Sequence, residues 1–180
     1  MEPAGQQFYS FVVTLVSNGI TAGVGAGLYG VDQGTKRQQM AVFLLKAEHG
    51  LCYTPPPCTG VFTDVPCSLI FAPWIEALAA EGITTGCGVN IFCPDNLVTR
   101  RQMAVFLLKT KYGSSYVPPD CTGVFDDVLC PTAPAVNFIE RLAAEQITGG
   151  CQASPPLYCP DNSSTRGQMA VFIVKTFNLQ

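Results

Sequence analysis

The segment CPDNLVTRRQMAVFLLKT, from Cys93 to Thr110, returns as CPDNSSTRGQMAVFIVKT from Cys159 to Thr176, and VDQGTKRQQMAVFLLKA, from Val31 to Ala47, is a third copy without the cysteine. Internal periodicity of this kind constrains a fold more than composition does, because a repeated unit must bury its apolar face against its neighbours. Met40, Met103 and Met169 are 63 and then 66 residues apart. The upstream halves keep step: FVVTLVSNGITAG starts at Phe11, WIEALAAEGITTG at Trp74 and FIERLAAEQITGG at Phe138. The chain divides into an incomplete unit at residues 1–50 and full units at 61–112 and 124–180. YTPPPC and YVPPDC stiffen the linkers at 51–60 and 113–123. The extra residues of the third unit fall before Phe138 and between Cys151 and Cys159, where loops tolerate insertion.

Each unit reads as helix, loop, helix. Trp74, Ala77, Leu78 and Glu81 fall at i, i+3, i+4, i+7, with Ile75 and Ala79 widening the stripe and Gly82 placed to end the helix. The second helix follows Thr99 or Thr165, each with glutamine three positions on in the T-x-x-Q form of a capping box. It then runs almost wholly apolar from Met103 to Leu108, which predicts a place at the centre of a bundle. The expected fold is mainly α: three helix-loop-helix repeats forming helical hairpins on extended linkers.

Among 180 residues, 48% are hydrophobic, enough for a sizeable core. Only 13% are charged and the net charge is −3, so the basic field that nucleic acid requires is missing. Nine cysteines beside a single histidine, His49, point to disulfides in an oxidising, extracellular setting. Met1 to Gln7 has no basic residue and the following apolar stretch is broken by Ser17, Asn18 and Gly19, so the chain reads as a mature or trimmed form without a leader. No stretch reaches the roughly 18–20 uninterrupted apolar residues of a membrane span.

Together GVFTDVP near Phe62, the helix from Trp74, EGITTG, the F-x-P-D-N pattern from Phe92 to Asn96 and VTRRQMAVFLLK resemble a surface-layer homology repeat. About fifty residues match in order in the second and third units, and the first matches in part. The resemblance implies one pseudo-threefold domain built from three repeats, without catalysis. It also implies binding of an anionic cell-wall polysaccharide or peptidoglycan-linked polymer, aided by a threonine-arginine-x-glutamate motif at the start of the second helix. On this reading the chain is an extracellular cell-surface anchor. The alternative is a self-assembling subunit of a surface layer or filament with copies of itself as partners.

Arg37, Arg100 and Arg166 fall in the first helical turn, where the dipole disfavours a cation by roughly 0.3–1 kcal/mol. Free amides and a guanidinium facing one way make an anion site. The competing reading pairs each arginine with a neighbouring acid, Asp95 or Asp161, as a loop lock. The family's glutamate is replaced by Gln39, Gln102 and Gln168, which still close the box but carry no charge. In the first unit Thr35 is displaced by one position and pairs with Gln38 instead. Asp64 and Asp127, in F-x-D-V segments, read as turn or cap residues that the resemblance places near the binding grooves. Trp74 reads as core packing, since Phe11 and Phe138 occupy the equivalent positions.

Aligning the second and third units matches Cys58 with Cys121, Cys67 with Cys130, Cys87 with Cys151 and Cys93 with Cys159. The expected bridges are therefore Cys58–Cys67, Cys87–Cys93, Cys121–Cys130 and Cys151–Cys159. Cys52 is left over as a candidate intermolecular thiol. Gaps of nine, six, nine and eight positions, with no C-x-x-C, argue against a metal site. Glu76 with Glu140 and Glu81 with Glu145 are the same helix positions in two units, expected to be exposed. They therefore do not read as a glycosidase pair. No cofactor is implied, and N-S-S at Asn162 is a glycosylation sequon in form alone. The first unit lacks the C-T-G-V-F-x-D-V-x-C segment and has Val24 and Gly30 in place of a cysteine pair. An uncovered packing surface is expected there, with Phe8, Phe11 and Val12 partly exposed and free to make head-to-tail contacts.

Overall fold

The structure, a computed structural model, describes residues 6–180, so the reading of Met1 to Gln7 as leaderless lies mostly outside it. After a short 3₁₀ turn at Gln6–Phe8 come six helices: α1 (Tyr9–Ser17), α2 (Arg37–His49), α3 (Ala72–Ala80), α4 (Arg100–Tyr112), α5 (Val136–Ala144) and α6 (Arg166–Phe177). Among the described residues β-structure is limited to isolated bridges. α4 and α6 begin where the threonine caps place them, α2 begins one position later than a cap at Thr35 would set it, and the three touch one another pairwise. Met40, Leu44, Met103, Leu107, Met169 and Ile173 are fully buried between them, which is why these helices carry apolar residues on most sides.

The helices of one unit do not pack as a hairpin. Instead α2 packs on α3, α4 on α5, and α6 on α1, so each second helix is covered by the first helix of the following unit and the last by the first. The linkers impose this arrangement. Tyr53 meets Trp74 edge-on with ring centroids 5.9 Å apart, and Tyr116 meets Phe138 in the same way at 6.4 Å. Each linker thereby carries the next first helix back over the helix it has just left. On α3 the fully buried apolar residues are Ala72, Ile75 and Leu78, while Trp74 is half-buried against the core as expected. Gly82 takes φ 72° just past α3, as the sequence predicts, and Gln146 accepts φ 58° at the same place after α5.

By packing on α6, α1 closes the bundle, while Phe8, Phe11 and Val12 stay partly exposed as expected. Leu15 is fully buried, and Phe8, Phe11 and Val12 are half-buried, with Phe8 lying over Gly167 at the start of α6. The four expected disulfides are present: Cys58–Cys67, Cys87–Cys93, Cys121–Cys130 and Cys151–Cys159, with Cys52 exposed and free.

Candidate functional site

At the core of the molecule the loops that precede the second helices join in a ring. Thr35 N donates to Ser164 O, Ser164 N to Val98 O and Val98 N to Thr35 O, each at 2.9 Å, and all three residues are fully buried. The next layer repeats the pattern. The backbone amides of Arg37, Arg100 and Arg166 donate to Asn96 O (2.9 Å), Asn162 O (2.9 Å) and Gln33 O (2.8 Å). The following amides, of Gln38, Arg101 and Gly167, donate to Pro94, Pro160 and Val31. The first-turn amides are therefore taken by carbonyls of the neighbouring unit rather than left open for an anion.

The arginines themselves point inward. Arg37, Arg100 and Arg166 are 3%, 4% and 2% exposed, so they sit below the surface that an exposed anion site needs. Their Nε atoms donate to Phe92 O, Tyr158 O and Tyr29 O, each at 2.8 Å. Each guanidinium also lies over that residue's ring, at 4.7, 4.7 and 4.6 Å from the centroid, and near Phe106, Phe172 or Phe43 on the second helix of the following repeat or, for Arg166, the first. Burial lowers all three guanidinium pKa values, opposed for Arg37 by Asp64 and for Arg100 by Tyr158 and Asp127. Burial in turn pushes the Tyr29 hydroxyl up to about 12, with Arg166 opposing, and that hydroxyl donates to Arg166 O at 3.0 Å. The expected partners Asp95 and Asp161 are held by other cations: Lys36 Nζ reaches Asp95 at 2.7 Å and Arg101 reaches Asp161 at 2.8 Å.

The glutamines close the caps. Gln102 Oε1 accepts the Thr99 amide and Gln168 Oε1 the Thr165 amide, both at 3.2 Å, while each threonine hydroxyl accepts from the glutamine's amide. In the first unit the cap does not slip to Thr35 and Gln38. Lys36 holds the cap position and Gln39 Oε1 accepts its amide at 3.1 Å, so the spacing to Arg37 is kept and only the hydroxyl is lost.

Asp64 accepts the amides of Phe92 (2.8 Å) and Cys93 (2.7 Å), and Asp127 those of Tyr158 and Cys159 at 2.7 Å. These aspartates fix the loops whose carbonyls the arginines hold. Glu76 and Glu140, expected to be exposed, are 8% and 7% exposed. Glu76 accepts amides from Thr59, Gly60 and Val61 at 2.7–2.9 Å, and Glu140 those from Thr122, Gly123 and Val124 at 2.6–3.0 Å. Burial raises both carboxyls, but the backbone donors outweigh it and hold them below the usual carboxylate range. Sequence reading missed this role because each C-T-G-V loop meets its glutamate from 15–18 positions away. The repeated C-T-G-V beside a repeated helical glutamate was the available signal.

One groove, ≈260 Å³, gathers cationic and polar groups: Arg37, Thr84, Arg101, Gln102 and Lys109 line it, with Phe106 as an apolar wall. Arg37 Nη2 is buried without a hydrogen-bond partner among the described residues. At the equivalent position Arg100 Nη2 donates to Thr148 Oγ1 at 3.4 Å. Lys46 and Lys175 each donate to a backbone carbonyl, of Gly19 and Gln146, but no such bond is made by Lys109 among the described residues. Arg166 Nη2 is likewise buried without a partner among the described residues, so what sets this groove apart from its counterparts is Lys109.

Residues 61–104 match the family model of the S-layer homology domain. The chain is 28% identical over 161 residues to the middle cell wall protein of Brevibacillus brevis, an alignment that covers 88% of this chain and 13% of that protein. The chain therefore spans only a small part of that relative's length.

Proposed function

We propose, from the match of residues 61–104 to the S-layer homology domain model, that the chain is a non-catalytic, extracellular module that holds a surface protein to the cell wall. Its ligand in this reading is an anionic cell-wall polysaccharide or peptidoglycan-linked polymer. The three repeats, 1–50, 61–112 and 124–180 with linkers between, stand about a pseudo-threefold axis through the ring of Thr35, Val98 and Ser164. The observation that carries the reading is the groove beside α4. Arg101, Gln102 and Lys109 line it above the buried Arg37. The half-buried Arg101 guanidinium and Lys109 ammonium are the donors that a carboxylate or phosphate group of the polymer meets. Arg100, Arg166, Asp64, Asp127 and Gln168 act on ligand indirectly, by fixing the loops that shape this groove and its two counterparts.

The test is cosedimentation with wall sacculi, intact and stripped of acid-extractable polysaccharide. The chain should pellet with intact sacculi, lose retention as salt rises, and lose it further in Lys109→Gln and Arg101→Gln. Equal retention on stripped sacculi, or variants that bind like the parent, would defeat the proposal. A second reading, self-assembly into a layer or filament, draws on the exposed free thiol of Cys52. A disulfide-linked oligomer that Cys52→Ser abolishes is its expected sign.

A further inference from the structure

In the last turn of α2 and just past the end of α3, Glu48, His49 and Glu81 each bring one ligand atom to within 4.8 Å of the others. His49 Nε2 stands 2.9 Å from Glu81 Oε1 and 3.8 Å from Glu48 Oε2. Bonds of about 2.1 Å at tetrahedral angles put the ligand atoms of a zinc ion roughly 3.4 Å apart, a spacing that these two distances bracket. All three side chains are partly exposed, so an ion has a path in and water has room to complete its shell.

The repeats supply a comparison within the chain. At the junction of α4 with α5, Lys111 takes the place of Glu48, Tyr112 that of His49, and Glu145 matches Glu81. There Glu145 accepts from Lys111 Nζ at 2.8 Å, from the Tyr112 hydroxyl at 2.8 Å and from Arg141 Nε at 2.6 Å. At the junction of α6 with α1 the same positions hold the uncharged Phe177, Asn178 and Asn18, and Asn18 donates to the Thr14 and Gln180 carbonyls. Between α2 and α3 both cations are replaced: Glu48 stands where Lys111 does, and Ala77 where Arg141 does. Among the described residues neither Glu48 nor Glu81 pairs with a lysine or arginine. Burial and then the Glu81 charge raise the Glu48 carboxyl above its ordinary pKa, with His49 opposing, as for like charges held together without a cation.

The imidazole decides which cation fits. Calcium and magnesium take oxygen donors, whereas one imidazole nitrogen with two carboxylates suits a transition ion such as zinc. His49 stacks on Tyr53 with ring centroids 4.4 Å apart, which holds the ring in place. The other cluster of metal-ligating side chains, Cys58, Cys67 and Glu76, has its sulfurs joined in a disulfide.

We propose that Glu48, His49 and Glu81 bind a divalent transition-metal ion of the zinc type, which clamps α2 to α3. His49 would coordinate through Nε2 as the neutral imidazole and each glutamate through one oxygen, with water in the remaining position. The ion does at this junction what Lys111 and Arg141 do at the next, tying the first unit to the second. The site shares no residue with the groove beside α4 and does not rest on that groove's ligand.

The test is calorimetric titration of zinc chloride into the full oxidised chain after EDTA treatment, in a Cys52→Ser background that removes the free thiol as a ligand. One ion per chain is expected, with a higher melting temperature in its presence. Glu48→Gln, His49→Gln and Glu81→Gln should each weaken binding at least roughly tenfold and cancel the thermal shift, with circular dichroism unchanged. Glu48→Lys, which copies Lys111, should abolish zinc uptake and raise the zinc-free melting temperature. No saturable uptake at neutral pH, which would mean that protons alone satisfy the cluster, overturns the proposal. So does uptake that the three glutamine variants leave unchanged.

Discussion

Arg37 Nε donates to the Phe92 carbonyl oxygen at 2.8 Å, joining the first turn of α2 to the loop that leads into α4 in the next unit. Arg100 and Arg166 repeat the link, so three buried cations tie the three units in a closed sequence. A buried guanidinium that stacks on a ring and satisfies a carbonyl cannot be truncated cheaply.

Arg100→Ala should therefore cost about 2–4 kcal/mol, from an unpaired buried carbonyl and a lost cation–π contact. Arg100→Lys should recover only part, because an ammonium does not match the planar fork. Thermal or urea unfolding is the measurement. A variant that melts with the parent would mean that the Tyr158 loop is held by its other bonds alone.

Acid sensitivity should trace to Glu76 and Glu140. Their folded pKa values lie below the unfolded one, so the stability they contribute is fully present above the unfolded glutamate pKa of about 4.3 and is lost as pH falls through the folded value. Glu76→Gln with Glu140→Gln should lower stability at neutral pH, since an amide opposes the N–H donors, and should flatten the decline below about pH 5. Urea midpoints from pH 7 down to pH 3 test this.

Each disulfide closes a loop with a sequence separation of six to nine residues, and its removal should cost roughly 2–3 kcal/mol in the chain-entropy model. The paired change Cys58→Ser with Cys67→Ser should loosen the Thr59–Val61 amides that Glu76 holds. Hydrogen exchange at those amides should accelerate, while exchange in α4 changes far less.

Closure of the bundle by α1 predicts that Leu15→Ala destabilises by about 2–5 kcal/mol, as for a fully buried leucine. Gly167→Val should also destabilise, because a Cβ there would sit 2.6 Å from the Phe8 ring. If α1 were a peripheral arm, neither change would move the melting temperature appreciably.

The sequence alone determined the repeat, the six helices, the caps at Thr99 and Thr165, the central place of the apolar second helices and all four disulfide partners. Each follows from local chemistry or from a copy written elsewhere in the chain. Only the tertiary structure decided which first helix covers which second helix, since the apolar stripe on α1, α3 and α5 does not say whose groove it fills. The same limit hid the arginines' role. A first-turn arginine reads as an anion site until the neighbouring unit brings a carbonyl to 2.8 Å and a ring beneath the guanidinium, and Glu76 reads as exposed until the Thr59–Val61 loop folds over it. Burial and hydrogen-bond satisfaction belong to pairs of residues far apart in the chain, and periodicity within one element carries no record of them.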